Sequence, residues 1–141
     1  MKNTIFLSAI LLVLLSSGLT SCEKEKSADE LIIGTWKVQD YTSILYIGGI
    51  KSESHTYFLN TDELSFEFLE GGSGIEYQDG EMYQVFEWTI ENSSLVMTYG
   101  KIVQNWSFTV DEGTLTFTAT GSGTMDDGTA YTYDVIYTAT R

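Results

Sequence analysis

Two hydrophobic patterns divide the chain. The first is a single apolar run, Ile5 through Leu15, interrupted only by Ser8 and Ala9 and preceded by Lys2. The second begins at Leu31 and has a period of two. Leu64, Phe66 and Phe68 fall on one face of an extended segment, with Ser65 and Glu67 on the other. Phe86, Trp88 and Ile90 alternate with Val85, Glu87 and Thr89, and Trp106, Phe108 and Val110 with Asn105, Ser107 and Thr109. Near the end, Tyr131, Tyr133, Val135, Tyr137 and Ala139 share one face, and Ile136 is the one large apolar residue on the other. Alternation rich in aromatic and β-branched residues predicts half-buried antiparallel strands, because successive side chains of a strand point to opposite faces.

Turn chemistry falls between these runs. Gly71-Gly72, Asp79-Gly80, Asn92-Ser93, Glu112-Gly113 and Asp127-Gly128 are pairs that tolerate positive φ, as tight hairpins require. The predicted strands cover 32–42, 55–60, 63–70, 73–78, 82–91, 94–100, 103–111, 114–120 and 130–140, with two early ones merging or lying outside the sheet. Residues 43–54 carry the least pattern, and Gly48-Gly49 sits there in an expected loop. No helical period follows residue 21, and no repeat of 20–50 residues is visible. The expectation is an all-β fold: a single antiparallel up-and-down barrel or strongly curved meander of about eight strands. Closure removes both exposed edges. Trp36, Phe66, Phe68, Phe86, Trp88, Trp106, Phe108 and Phe117 are its expected core.

The leading apolar run is too short for a permanent bilayer span, which needs about 20 apolar residues. It ends in Leu19-Thr20-Ser21-Cys22, where small residues precede the chain's only cysteine. This resembles a bacterial lipoprotein signal, and it implies removal of residues 1–21, with Cys22 diacylated through its thiol and N-acylated by chains of the palmitate type. Residues 22–30 read as a charged tether and 31–141 as the domain. The resemblance implies lipid anchoring in the cell envelope at the outer membrane. Glu23-Lys24-Glu25-Lys26 is loosely similar to the charged export tag of surface-exposed lipoproteins, and the periplasmic and outer faces both stay open.

Charge narrows the partners. The formal net charge is −13, and Lys2, one of only seven basic residues, lies in the segment expected to be removed. Such a surface repels nucleic acid and anionic headgroups, so membrane attachment rests on acyl chains. With no cysteine beyond Cys22, the domain has no disulfide and depends on packing and strand pairing.

Leu31-Ile32-Ile33-Gly34-Thr35-Trp36 opens the domain with Gly-x-Trp, and paired strands of the pattern Leu64-x-Phe66, Trp88-x-Ile90 and Leu115-x-Phe117 follow before an aromatic strand ending in Arg141. This resembles the small lipocalin-like lipoproteins of the Bacteroidota over roughly residues 31–141. The resemblance implies that Gly34 lets the chain turn into the barrel, that Trp36 plugs its closed end, and that Arg141 packs across the indole. It also implies a small hydrophobic or amphipathic ligand. Two departures are visible: no C-terminal helix is expected, and a Thr-Asp-Tyr type signature is missing at Val110–Gly113.

Catalytic patterns are weak. His55 is the only histidine, which argues against zinc or a histidine triad. Asp126-Asp127-Gly128 lacks the alternating carboxylates of a calcium loop and reads as a turn. Glu67, Glu76, Glu87 and Glu91 raise a paired-carboxylate hydrolase, but Glu67 and Glu87 lie opposite the aromatic faces. Ser65 and Ser107 lack a nucleophile-elbow context. The expectation is therefore a non-enzymatic protein without metal or cofactor. Trp88, Trp106, Tyr131, Tyr133 and Tyr137 are the candidate ligand-binding residues, with barrel filling as the default role of such aromatics. The two functional readings are a lipid-anchored binder of a small hydrophobic or amphipathic molecule and a solid barrel that meets an envelope protein or glycan through its outer surface or loops.

Overall fold

The computed structural model describes residues 25–141. The expected signal segment and Cys22 lie outside them. A helix, Ala28–Ile32, precedes nine strands: β1 (Gly34–Ile47), β2 (Ile50–Phe58), β3 (Leu64–Phe68), β4 (Ser73–Gln78), β5 (Glu81–Glu91), β6 (Ser94–Tyr99), β7 (Ile102–Val110), β8 (Thr114–Thr124) and β9 (Ala130–Thr140). From β3 onward each strand pairs antiparallel with the next. β1 pairs with β3 on one edge, from Gly34↔Phe68 to Lys37↔Ser65, and with β9 on the other, from Lys37↔Thr140 to Ile47↔Tyr131. That second pairing closes an eight-stranded barrel of β1 and β3–β9.

β2 is the extra strand. It pairs only with β1, from Asp40↔Phe58 to Ile47↔Ile50, and every one of its residues is exposed. β8 pairs with β7 only through Thr118, whereas its pairing with β9 continues to Thr124. The outer halves of β1, β9 and β8 therefore run past the barrel rim and form, with β2, a four-stranded sheet ordered β2–β1–β9–β8.

Segment 43–54, the least patterned of the chain, is a tight hairpin, with Gly48-Gly49 as its turn. Gly48 and Gly49 both have positive φ, 58° and 79°, which is the two-residue turn whose twist matches the flanking strands. The pattern was hidden because no residue of this hairpin is fully buried, so an apolar run, Ile44 to Ile47, is followed by a polar one, Lys51 to Thr56, with no core to impose alternation. The helix Ala28–Ile32 also departs from expectation and extends order into the supposed tether. Five residues are too few to show a period, and the segment is set by its cap: the Glu30 carboxylate accepts the Ser27 backbone N–H at 2.9 Å.

The barrel interior is apolar at one end. Trp36, Phe68, Leu95, Leu115 and Ala139 are essentially inaccessible there, joined by Ile32 from the helix and by Phe86 and Trp88. Phe68 meets Phe86 and Trp88 edge-on, with centroids 5.4 and 5.6 Å apart, the favoured arrangement of aromatic quadrupoles. Two residues of the expected core, Trp106 and Phe108, are only half-buried. Phe108 packs on the margin of the core, and Trp106 borders an interior space.

Candidate functional site

The barrel has a sealed end and an open one. At the sealed end Gly34, with φ 125°, starts β1 in a conformation that side chains rarely adopt. Trp36 follows, fully buried, and its Nε1 donates to the Ile32 carbonyl at 2.7 Å. The Arg141 guanidinium lies 4.4 Å from the Trp36 ring centroid and donates to the carbonyls of Leu31 and Ile33, the latter at 3.0 Å. One cation thus stacks on the indole and ties the segment around the helix end to the last strand. Trp88 belongs to this region too. Its Nε1 donates to the Ser73 carbonyl at 2.9 Å.

The opposite end is polar. Antiparallel order brings the end of β4, the start of β5, the end of β6 and the start of β7 to one rim, so Gln78, Gln84, Tyr99 and Gln104 converge there. With Glu76 they line a cavity of about 290 Å³ whose apolar side includes Phe66, Met97 and Phe117. Trp106 and Tyr137 complete its aromatic wall: Phe117 stacks on Tyr137 at 5.1 Å, and Trp106 meets both edge-on at 5.2 and 5.8 Å.

Glu76 is the chemical centre of this space. It is buried, with 8% of its surface exposed. Gln78 Nε2 donates to one carboxylate oxygen at 3.0 Å and Gln84 Nε2 to the other at 2.9 Å. Both carboxylate oxygens thus accept from an amide, and each amide keeps a second N–H and a carbonyl oxygen. Burial, reinforced by the neighbouring Glu76 carboxylate, holds the Tyr99 hydroxyl far above the ordinary phenol range. Tyr137 shifts the same way, through burial first, then Tyr41 and Glu76. The Trp106 indole N–H is buried and no group of the described chain accepts it.

The five candidate aromatics are thus divided. Trp106 and Tyr137 line the cavity, Trp88 sits in the sealed end, and Tyr131 and Tyr133 stand on the projecting sheet. Each of the last two lies across from a glycine, Tyr133 over Gly121 and Tyr131 over Gly123, where a Cβ would collide with the ring. Their local task is to cover bare backbone on an otherwise exposed sheet. Glu76 was grouped in the sequence with three other carboxylates and not singled out. The structure separates them: Glu67 accepts the Tyr77 hydroxyl at 2.8 Å, while Glu87 and Glu91 are exposed on β5. No second carboxylate lines the cavity. A usable signal did exist. Gln84 is in phase with Phe86 and Trp88, and Gln104 with Trp106 and Phe108, so two aromatic stripes both end in an amide at the same rim.

Elsewhere, Asp127 Oδ1 accepts the Thr129 backbone N–H at 2.9 Å and closes the β8–β9 turn. His55 is exposed on β2, 3.6 Å from Glu53. Among the described residues, no three His, Cys, Asp or Glu come together as metal ligands, and no helix is long and apolar enough to cross a membrane. A larger depression of about 480 Å³ lies on the barrel wall beside Leu69, Ile75 and Val85, but its groups open outward and no buried polar atom converges there. No protein-family model matches the chain, and neither a curated protein nor a solved structure matches it.

Proposed function

We propose that the chain is a lipid-anchored, lipocalin-like envelope protein that binds a small amphipathic molecule in the open end of its barrel without transforming it. The observation that carries the binding reading is the cavity around Glu76. A volume of about 290 Å³ is at the small end of ligand sites, which run from roughly 300 Å³ upward. Its walls combine aromatic faces with convergent polar groups, a more polar lining than most ligand sites have. The unpaired Trp106 N–H supports the same reading, because leaving a buried donor without an acceptor costs about 1–3 kcal/mol. The packing of Arg141 across Trp36 supports the lipocalin-like comparison. Lack of catalysis is inferred from a lone carboxylate with no second acid, nucleophile or histidine beside it.

Anchoring rests on the segment ending at Cys22. Three acyl chains hold a protein firmly where a single chain binds only marginally. In detergent phase separation the wild-type chain is expected in the detergent phase and Cys22→Ala in the aqueous phase or uncleaved. Wild-type chain in the aqueous phase would overturn the anchor. Protease shaving of intact cells separates the outer face from the periplasmic one. Native mass spectrometry of the chain from its own cells tests binding: a small-molecule adduct beyond the acyl mass is expected, and the acylated chain alone would count against it.

A solid-barrel interaction protein is the second reading. It is favoured by the outer face, where Met82, Tyr83, Val85, Ile102 and Val103 are all more than half exposed. Isolated surface apolar residues need no explanation, but five large ones on the two strands flanking β6 fit contact with a partner.

A further inference from the structure

We infer that the ligand of the barrel cavity is an organic ammonium, recognised by the Glu76 carboxylate and the aromatic wall around it. The inference rests on the binding reading above and specifies its chemistry.

The argument is one of unmet charge and unmet hydrogen bonds. Glu76 is an ionisable group taken out of water, and a buried charge is normally paired with an opposite one. No basic side chain lines the cavity. Lys37 is engaged with Asp62 at 2.6 Å on the outside, Lys26 approaches Glu112, Arg141 is at the sealed end, and the exposed Lys51 on β2 and Lys101 in the β6–β7 turn at the open rim are not part of the cavity lining. The two glutamines donate one N–H each to the carboxylate and the Tyr99 hydroxyl stands beside it, so all its protein partners are neutral. The site therefore holds a buried negative charge surrounded by neutral polar groups, and what complements it is a cation bearing N–H groups.

The walls select an organic cation over a bare ion. Phe66, Phe117, Tyr137 and Trp106 present ring faces or edges to the same space, and ring faces attract ammonium groups. A hard metal ion would need several oxygen ligands, whereas a single carboxylate is present. Trp106 Nε1, a buried donor with no protein acceptor among the described residues, adds that the ligand carries an acceptor such as a hydroxyl as well. An organic anion would meet the Glu76 carboxylate with no basic side chain in the cavity lining to offset the repulsion.

Three probes of one shape test this: tyramine, 2-(4-hydroxyphenyl)ethanol and 4-hydroxyphenylacetate, which differ only in an ammonium, a hydroxyl and a carboxylate. Titration calorimetry on the full chain is expected to show saturable tyramine binding about tenfold tighter than the alcohol, the margin of a charge-assisted over a neutral hydrogen bond, and no carboxylate binding. Because the acidic surface attracts any cation, the comparison is repeated with Glu76→Gln, which removes one buried charge and leaves the surface unaltered. Tyramine is then expected to fall to the level of the alcohol. Equal binding of tyramine and alcohol by the wild-type chain overturns the inference while the small-molecule reading stands. A tyramine preference undiminished in a folded Glu76→Gln chain also overturns it, since the preference then comes from the surface. Binding of none of the three overturns both. The first comparison uses the unaltered chain, so it decides even where the variant fails to fold.

Discussion

The two ends of the barrel are built from the same kind of residue and treat it in opposite ways. Each of the three tryptophans places its ring against the core. Trp36 and Trp88, toward the sealed end, have their indole N–H groups bonded to backbone carbonyls of Ile32 and Ser73. Trp106, at the open end, has a buried N–H that no protein group accepts. The difference separates scaffold from site. Where every polar atom is satisfied within the chain, the side chain has nothing left to offer a ligand, and its removal is felt as lost stability. Where a buried donor and a carboxylate remain incompletely matched, folding has left interaction capacity unused.

The largest expected effect tests the scaffold half of this contrast. Trp36→Ala removes a fully buried indole together with the surface on which Arg141 rests, and truncating a buried large aromatic costs about 3–5 kcal/mol. Equilibrium denaturant unfolding measures it. A loss below about 1 kcal/mol would mean that the sealed end is not held by Trp36, and the lipocalin comparison would lose its main support.

Alkaline pH acts on the other end. The sealed interior contains no titrating side chain, whereas the open cavity holds Tyr99 and Tyr137, both raised above the ordinary value of 10.0. Below that value these phenols are neutral in folded and unfolded chains alike, and stability is insensitive to them. Above it the unfolded chain releases protons that the folded chain retains, so stability falls as pH rises. The slope is at most about 1.4 kcal/mol per pH unit for each tyrosine, and smaller where solvent at the mouth screens the group. Denaturant unfolding at successive alkaline pH values is expected to show this decline, and Tyr99→Phe to make it shallower. An identical slope in the variant would place Tyr99 in water and undo the polar character assigned to the cavity.

The same contrast explains what was legible in the sequence. Strands with one buried and one solvated face could be read, because burial imposes the alternation: Leu64-x-Phe66-x-Phe68 and Phe86-x-Trp88-x-Ile90 are inward in the structure as the pattern predicts. β2 could not, since no core selects its residues. Nor could the cavity. On β4 the buried positions are Gly74 and Glu76, while Ile75 and Tyr77 of the opposite phase are only half-buried. Hydrophobic alternation there points the wrong way, because the inward face is polar. Tyr131 and Tyr133 show the converse limit: their phase continues that of Tyr137 and Ala139, but β9 has passed the rim and no interior remains for them to fill.

The smallest effect discriminates most finely between the ends. Trp88→Phe and Trp106→Phe make the same chemical change, and the deeper burial of Trp88 adds a larger packing loss to the difference made by the N–H. In Trp88→Phe the Ser73 carbonyl loses one of its two donors and keeps the Leu69 N–H, and the lost hydrogen bond is worth about 0.5–1.5 kcal/mol on top of the smaller ring. In Trp106→Phe the group removed is an unsatisfied donor, whose desolvation cost disappears with it and offsets the lost contacts. The expected result is a Trp106→Phe chain within about 0.5 kcal/mol of wild type and a Trp88→Phe chain about 1–2 kcal/mol less stable. Tyramine affinity should move in the opposite sense, falling a few-fold for Trp106→Phe and holding for Trp88→Phe. Equal destabilisation of the two variants would mean that the Trp106 N–H already has its acceptor, and the open end would then be scaffold like the sealed one.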